Sequence, residues 1–236
     1  MFFHSHPYEP FLFPEATKLI VGTLPPPRFT KGELKDDDVD FCYGSRNGQL
    51  WPILDKIFSL DLKYETTAFA AQQRKDFLLK HKIGVCDIVA SAERDKIDAS
   101  DLGMQNIKLR NLVGYLKEYE KVETLLFTGG NSKNGPEYFF RKHLKKYKMK
   151  LKVVSDIVPR IHEFELSTSL NEFEDHKHIS VRKIKTVSLT APSGAANRAV
   201  GSMDLYKKLK NENPDFNTLD FRVMQYRQFF KDSDSI

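Results

Sequence analysis

Three short segments gather residue types that can do chemistry. The first is Gly22-Thr23-Leu24-Pro25, at the end of an apolar run. The second is Tyr43-Gly44-Ser45-Arg46-Asn47, followed closely by Leu50-Trp51-Pro52. The third is Ala191-Pro192-Ser193-Gly194-Ala195-Ala196-Asn197-Arg198. The Asn47 carboxamide both donates and accepts hydrogen bonds, which suits it to holding a water or the polar edge of a ligand. Tyr43 offers an aromatic face. The Pro192-Ser193-Gly194 turn offers backbone N–H groups and a hydroxyl to a phosphate ahead of a helix. Gly194 and the two alanines are small enough for a close approach, and Asn197 and Arg198 can reach further. Each feature also has an ordinary reading. Asn47 can cap a helix, Tyr43 can be a core aromatic, and the third segment can be a plain turn.

The elements that must position these residues alternate between strand and helix, the pattern of a parallel sheet covered by helices. Strands are expected at Lys18–Leu24, Ile83–Val89, Thr124–Thr128 and Arg182–Leu189. The first runs into Pro25-Pro26-Pro27, which cannot continue a ladder. From Gln49, Leu50, Ile53, Leu54, Ile57 and Phe58 recur at helical spacing, with Pro52 in the first turn. Further helices are expected over Asn106–Tyr119 and Pro136–Tyr147. The second of these carries a basic stripe of Arg141, Lys142, Lys145, Lys146 and Lys148, read as a solvated face. The run Asp36-Asp37-Asp38 is likewise read as a solvated turn. Residues 150–180 read as an inserted hairpin or excursion, and a helical region near 203–210 and 219–230 closes the fold. Ligands on such sheets bind where the carboxyl ends of the strands open into a crevice. Both unusual loops follow a strand, so they belong on one edge, and Asp87 ends the second strand.

The bulk properties are compatible with this. The 236 residues carry a net charge of +5, a modest excess that suits an anionic partner. Two cysteines, Cys42 and Cys86, are too few and too far apart for a zinc ribbon or an iron–sulfur cluster. A reducing, cytoplasmic setting is expected. No apolar run reaches membrane-spanning length, so no membrane partner is expected.

Taken in order, the three segments resemble the uracil-DNA glycosylase superfamily. They look closest to its mismatch-specific uracil and hypoxanthine-DNA glycosylase groups. In that group a G-x-x-P-G loop ends a strand. An aromatic residue, a His-Pro pair, an asparagine and F-W at a helix start follow, and a P-S-G-like loop comes after the last strand. GVCDIV is similar to the group's G-x-x-W-D-V, and Arg94 and Asp98 fall where the group has an arginine and an acidic residue. LLFTGG also corresponds to one of its strand ends. The resemblance covers about residues 18–145 and 182–205. Four positions depart from it: Leu24 stands where many members place Asp or Asn, Pro26 replaces a glycine, Gly44-Ser45 replaces the His-Pro pair, and Ala191 replaces a histidine.

The resemblance implies a three-layer α/β/α sandwich with a central, mainly parallel four-stranded sheet. It implies one domain over 1–236, with the insertion at 150–180 and a C-terminal helical region at 203–230. The implied activity is hydrolysis of the glycosidic bond of a deaminated base, uracil or hypoxanthine, flipped out of DNA. Asn47 would position the water and Asp87 would orient the pocket. Gly22, Thr23, Leu24, Pro25, Tyr43 and Phe127 would form the base pocket. Arg46, Pro192, Ser193, Gly194, Ala195, Asn197 and Arg198 would hold the DNA. No metal or organic cofactor is implied, and a monomer is expected. Two other readings stay open: a DNA-binding relative without catalysis, and a nucleoside- or nucleotide-processing α/β enzyme.

Overall fold

The computed structural model describes residues 1–98, 100–170 and 178–231. Its main sheet has six strands: β2 (Lys18–Val21), β3 (Ile83–Val85), β6 (Thr124–Phe127), β7 (Lys152–Ser155), β8 (Arg160–Leu170) and β9 (His178–Ser188). Their order is β3-β2-β6-β9-β8-β7. The first four neighbours run parallel. They are the four expected strands, reached through crossovers because a parallel pair cannot be joined by a tight turn. The sheet is nevertheless mixed and larger than the expected four strands. The segment read as an insertion supplies β7 and β8, which pair antiparallel at the β9 edge. β8 is no loose excursion, since Phe164 and Leu166 from it are buried in the core.

Both faces of the sheet are covered at its centre, which explains why β2, β3 and β6 read as nearly unbroken apolar runs. On one face Leu19, Val21, Leu125 and Phe127 pack under α4 (Leu112–Glu118) and α5 (Pro136–Lys145). On the other, Ile20, Leu126 and Val187 pack under α2 (Leu50–Phe58), α3 (Ala68–Lys80) and α8 (Thr218–Phe230). Trp51, Leu54, Phe77 and Tyr226 form the helical side of that second layer. Each such large apolar side chain stabilises the fold by roughly 1.5–3 kcal/mol.

A second, three-stranded sheet stands beside the first: β1 (Phe2–Ser5), β4 (Val89–Arg94) and β5 (Gln105–Leu109), antiparallel in the order β1-β4-β5. It corrects two expectations. The strand expected over Ile83–Val89 is split, with β3 ending at Val85 and Val89 opening β4 in the other sheet. The helix expected over Asn106–Tyr119 is half strand. β5 occupies its start, and α4 begins only after Asn111, whose side chain accepts the Gly114 N–H as a cap. A short helix, α1 (Pro27–Lys31), follows the three-proline turn. Beyond β9 lie α6 (Asn197–Ser202), α7 (Asp204–Glu212) and α8. No helix among the described residues is long and apolar enough to cross a membrane.

Candidate functional site

The carboxyl ends of β2, β6 and β9 open into one cleft of about 640 Å³. Thr23, Leu24 and Pro25 line it from the loop after β2, and Thr128 from the end of β6. Tyr43 and Asn47 line it from the approach to α2, Asp87 and Asp101 from beyond β3, and Pro192 to Ala195 from beyond β9. Ten of the residues expected from sequence therefore meet here, drawn from four separated stretches of chain.

Asp87 organises the floor. Its Oδ1 accepts the Gly22 N–H (2.7 Å) and the Tyr43 hydroxyl (2.7 Å). Its Oδ2 lies 3.0 Å from His6 Nε2. The Tyr8 N–H donates to His6 Nδ1 at 3.2 Å, which assigns the ring proton to Nε2 and makes His6 the donor to Asp87. The Tyr43 hydroxyl also lies 3.3 Å from Thr128 Oγ1. Burial and the neighbouring Asp87 carboxylate push the Tyr43 phenol well up, so it stays protonated and able to donate. Gly22 is required by this close approach: a Cβ there would strike the Tyr43 hydroxyl and lie 2.8 Å from Asp87 Oδ1. Tyr43 has φ 60°, an uncommon conformation for a residue with a side chain, and its two hydroxyl contacts hold it there.

The wall carrying Asn47 is anchored from below. Asp38 is fully buried and accepts from Arg28 Nε and Nη2 (both 2.7 Å) and from the Arg46 and Lys35 N–H groups. Burial alone would raise its carboxyl, but these hydrogen bonds and the Arg28 charge bring it down to about 2. The acidic run read as a solvated turn thus contains a structural anchor. Arg28 also donates to Ser45 Oγ at 2.9 Å, and the Trp51 indole N–H donates to the Cys42 carbonyl at 2.9 Å. The N-cap of α2 is Gln49, not Asn47. Among the described residues nothing hydrogen-bonds the Asn47 carboxamide, which lines the cleft.

The opposite wall is the loop after β9. Gly48 and Ser193 form an antiparallel bridge, and the Gln49 N–H donates to the Pro192 carbonyl at 2.9 Å, so the two rims are stitched together. Helix α8 holds this loop from behind. Arg222, fully buried, donates to the carbonyls of Ala191 (2.9 Å) and Ser193 (3.0 Å). Gln225 Oε1 accepts the Thr190 N–H, and the Tyr226 hydroxyl donates to the Thr190 carbonyl, each at 2.8 Å. A Cβ on Gly194 would meet nothing within 4 Å, so the tip of the loop stands clear.

Four expected site residues lie elsewhere. Phe127 is fully buried under α5, its ring centroid 5.3 Å from that of Phe140, because its position in β6 faces the core. Arg46 turns outward and donates to the Asp36 carbonyl at 3.1 Å. Asn197 accepts from Thr218 Oγ1 and Arg222 Nη1, a structural role. Arg198 is exposed on α6 and does not line the cleft. Gly22 lies beneath the floor. Two groups that bear on the cleft escaped the sequence reading. His6 sits in a tail without a motif, 81 residues from its partner Asp87. Asp101 accepts from Thr23 Oγ1 at 2.9 Å, and burial pushes its carboxyl up to about 6.

No family model matches the sequence, and no curated protein matches it. Among solved structures, one similar chain is a solution NMR structure from Methanosarcina acetivorans, provisionally assigned as a uracil DNA glycosylase. It is 16% identical, with a TM-score of 0.53 over 97% of each chain. The likeness is one of fold, a uracil-DNA-glycosylase-like α/β arrangement spanning nearly the whole of both chains.

Proposed function

We propose that this fold serves as a DNA glycosylase, hydrolysing the N-glycosidic bond of uracil or hypoxanthine extruded from DNA. The observation that carries this reading is the cleft itself. It sets an unengaged Asn47 carboxamide, the Tyr43 ring and the half-buried Asp101 carboxyl around one space at the carboxyl edge of the sheet. The extruded base lies against Tyr43 and the Thr23–Pro25 backbone. Asn47 holds a water against the sugar C1′. The water oxygen forms the new bond to C1′, the C1′–N bond breaks, and its electron pair leaves with the base. Asp101, ionised above about pH 6, takes the proton released by the water. The loop from Pro192 to Ala195 grips the distorted backbone. The proposal extends to the solved relative's assignment and to the whole chain acting as one domain on DNA.

The test is base release from labelled oligonucleotides carrying one uracil or hypoxanthine, single- and double-stranded. The wild type should release one of them, and Asn47→Ala should lower the rate at least ~100-fold, the scale of a lost water-positioning or polarising group. Leu24, whose side chain cannot activate a water, and Pro26, which lacks an N–H, both line the cleft. They favour a second reading, a DNA-binding relative without catalysis. Salt-sensitive binding with no release from any substrate would decide for it.

A further inference from the structure

A second concavity, of about 750 Å³, lies along the outer face of α5. Its rim is formed by Arg141, Lys142, Lys145, Lys148 and Lys150, and among the described residues no acidic side chain lines it. Met149 and Leu151 give it an apolar floor, and Tyr138 stands at its upper end with Lys142 Nζ 4.5 Å from the ring centroid. Lysines spread over an exposed helix are ordinarily just solvated. Here they converge on a hollow. Among the described residues, no carboxylate lies within ion-pair distance of Lys142, Lys145, Lys148 or Lys150. Arg141 is fixed in place by the buried Glu137, at 2.7 Å. Cations along a groove with an aromatic ring and an apolar floor are the combination that binds a single nucleic-acid strand: phosphates on the cations, base faces on the ring.

The groove begins at Asn131, on the loop that leaves the cleft at Thr128, and runs down α5 away from it. We propose that it is a separate binding site for single-stranded nucleic acid, holding a strand that extends past the cleft. Its chemistry reads phosphodiester and base faces, which DNA and RNA share. The site is distinct from the base-excising cleft and does not depend on excision.

The experiment is fluorescence anisotropy with labelled dT and rU oligomers of about 20 nucleotides, free of any modified base, over a salt series. The triple variant Lys142→Ala/Lys145→Ala/Lys148→Ala should bind at least one of the two at least ~10-fold more weakly. Its slope of log affinity against log salt should fall by about 2, given roughly 0.7 per phosphate contact on a single strand. Tyr138→Leu should weaken binding ~5- to 100-fold, the scale of one lost base–aromatic stack. Lys207→Ala/Lys208→Ala on α7, outside both hollows, should change neither quantity. Whichever oligomer loses more identifies the sugar. Wild-type affinity and slope in the triple variant would overturn the proposal, as would an equal loss in the α7 control, which would reduce the effect to net charge. Because the probes contain no damaged base, failure to excise uracil or hypoxanthine would leave the groove standing.

Discussion

Asp101 is the residue whose behaviour is most open to test. Burial raises its pKa from 3.8 to about 6, so the folded chain binds this proton more tightly than the unfolded chain does. Ionising it therefore costs stability as the pH rises from about 4 to about 6. Asp101→Asn should melt higher than the wild type at pH 7.5 and no higher at pH 4; the same shift at both would refute the assignment. In the proposed reaction the wild-type rate should rise with pH through about 6 and then level off, and that inflection should vanish in Asp101→Asn. Gly22 offers a structural test. Gly22→Ala forces the Tyr43 hydroxyl off Asp87, so the variant should lose base release and ligand binding while its far-ultraviolet circular dichroism stays close to wild type. Most of the cleft could be read from sequence because each of its segments sits at a strand end or a helix start. His6 could not, since its contact with Asp87 spans 81 residues of chain and leaves no local pattern. Phe127 was misplaced for a related reason: its neighbourhood in sequence is the site, but its side chain faces the core.

Among the elements, α8 has a defined task. Three of its side chains, Arg222, Gln225 and Tyr226, hydrogen-bond the backbone of Thr190 to Ser193. Removing Arg222 strands two half-buried carbonyls, so Arg222→Ala should cost about 1–3 kcal/mol in urea denaturation and loosen the Pro192–Ala195 rim. Arg222→Lys, able to satisfy only part of the set, should recover less than half of that. The parallel strands β2 and β6 were readable because strands buried on both faces are apolar runs cut off by glycine or proline. Elements that share their pattern with another structure were not. The apolar residues of 105–109 fit the helical period that continues into α4, so β5 was read as helix. The 68–80 segment has apolar residues scattered around its circumference, and nothing in its pattern announced α3. The hairpin of β7 and β8 could be suspected from sequence, but its pairing partner could not, because register is decided by tertiary contact.

At the scale of the whole molecule, the pH response is set by buried histidines. Burial lowers both His4, beside Arg94, and His143, beside Lys146, to about 4. Above pH 6.5 both are neutral whether the chain is folded or not. As the pH falls from 6.5 towards 4 the unfolded chain takes up protons that the folded chain does not, and stability is lost. Two histidines outweigh the opposite contribution of Asp101 over the same interval. The urea midpoint should therefore be lower at pH 5 than at pH 7.5, and His143→Gln should flatten that dependence. An unchanged dependence would remove His143 from the account.

The hold of α8 on the rim has a consequence for how the protein comes into being. A chain leaving the ribosome presents its N-terminal strand and the floor around Asp87 long before residues 218–230 are made. Until α8 docks, the loop after β9 lacks the hydrogen bonds that Arg222, Gln225 and Tyr226 make to Thr190, Ala191 and Ser193, and only its bridge to Gly48 and Gln49 holds it. Ligand capture should thus switch on only once α8 has docked, and a chain stalled before residue 218 should be unable to grip.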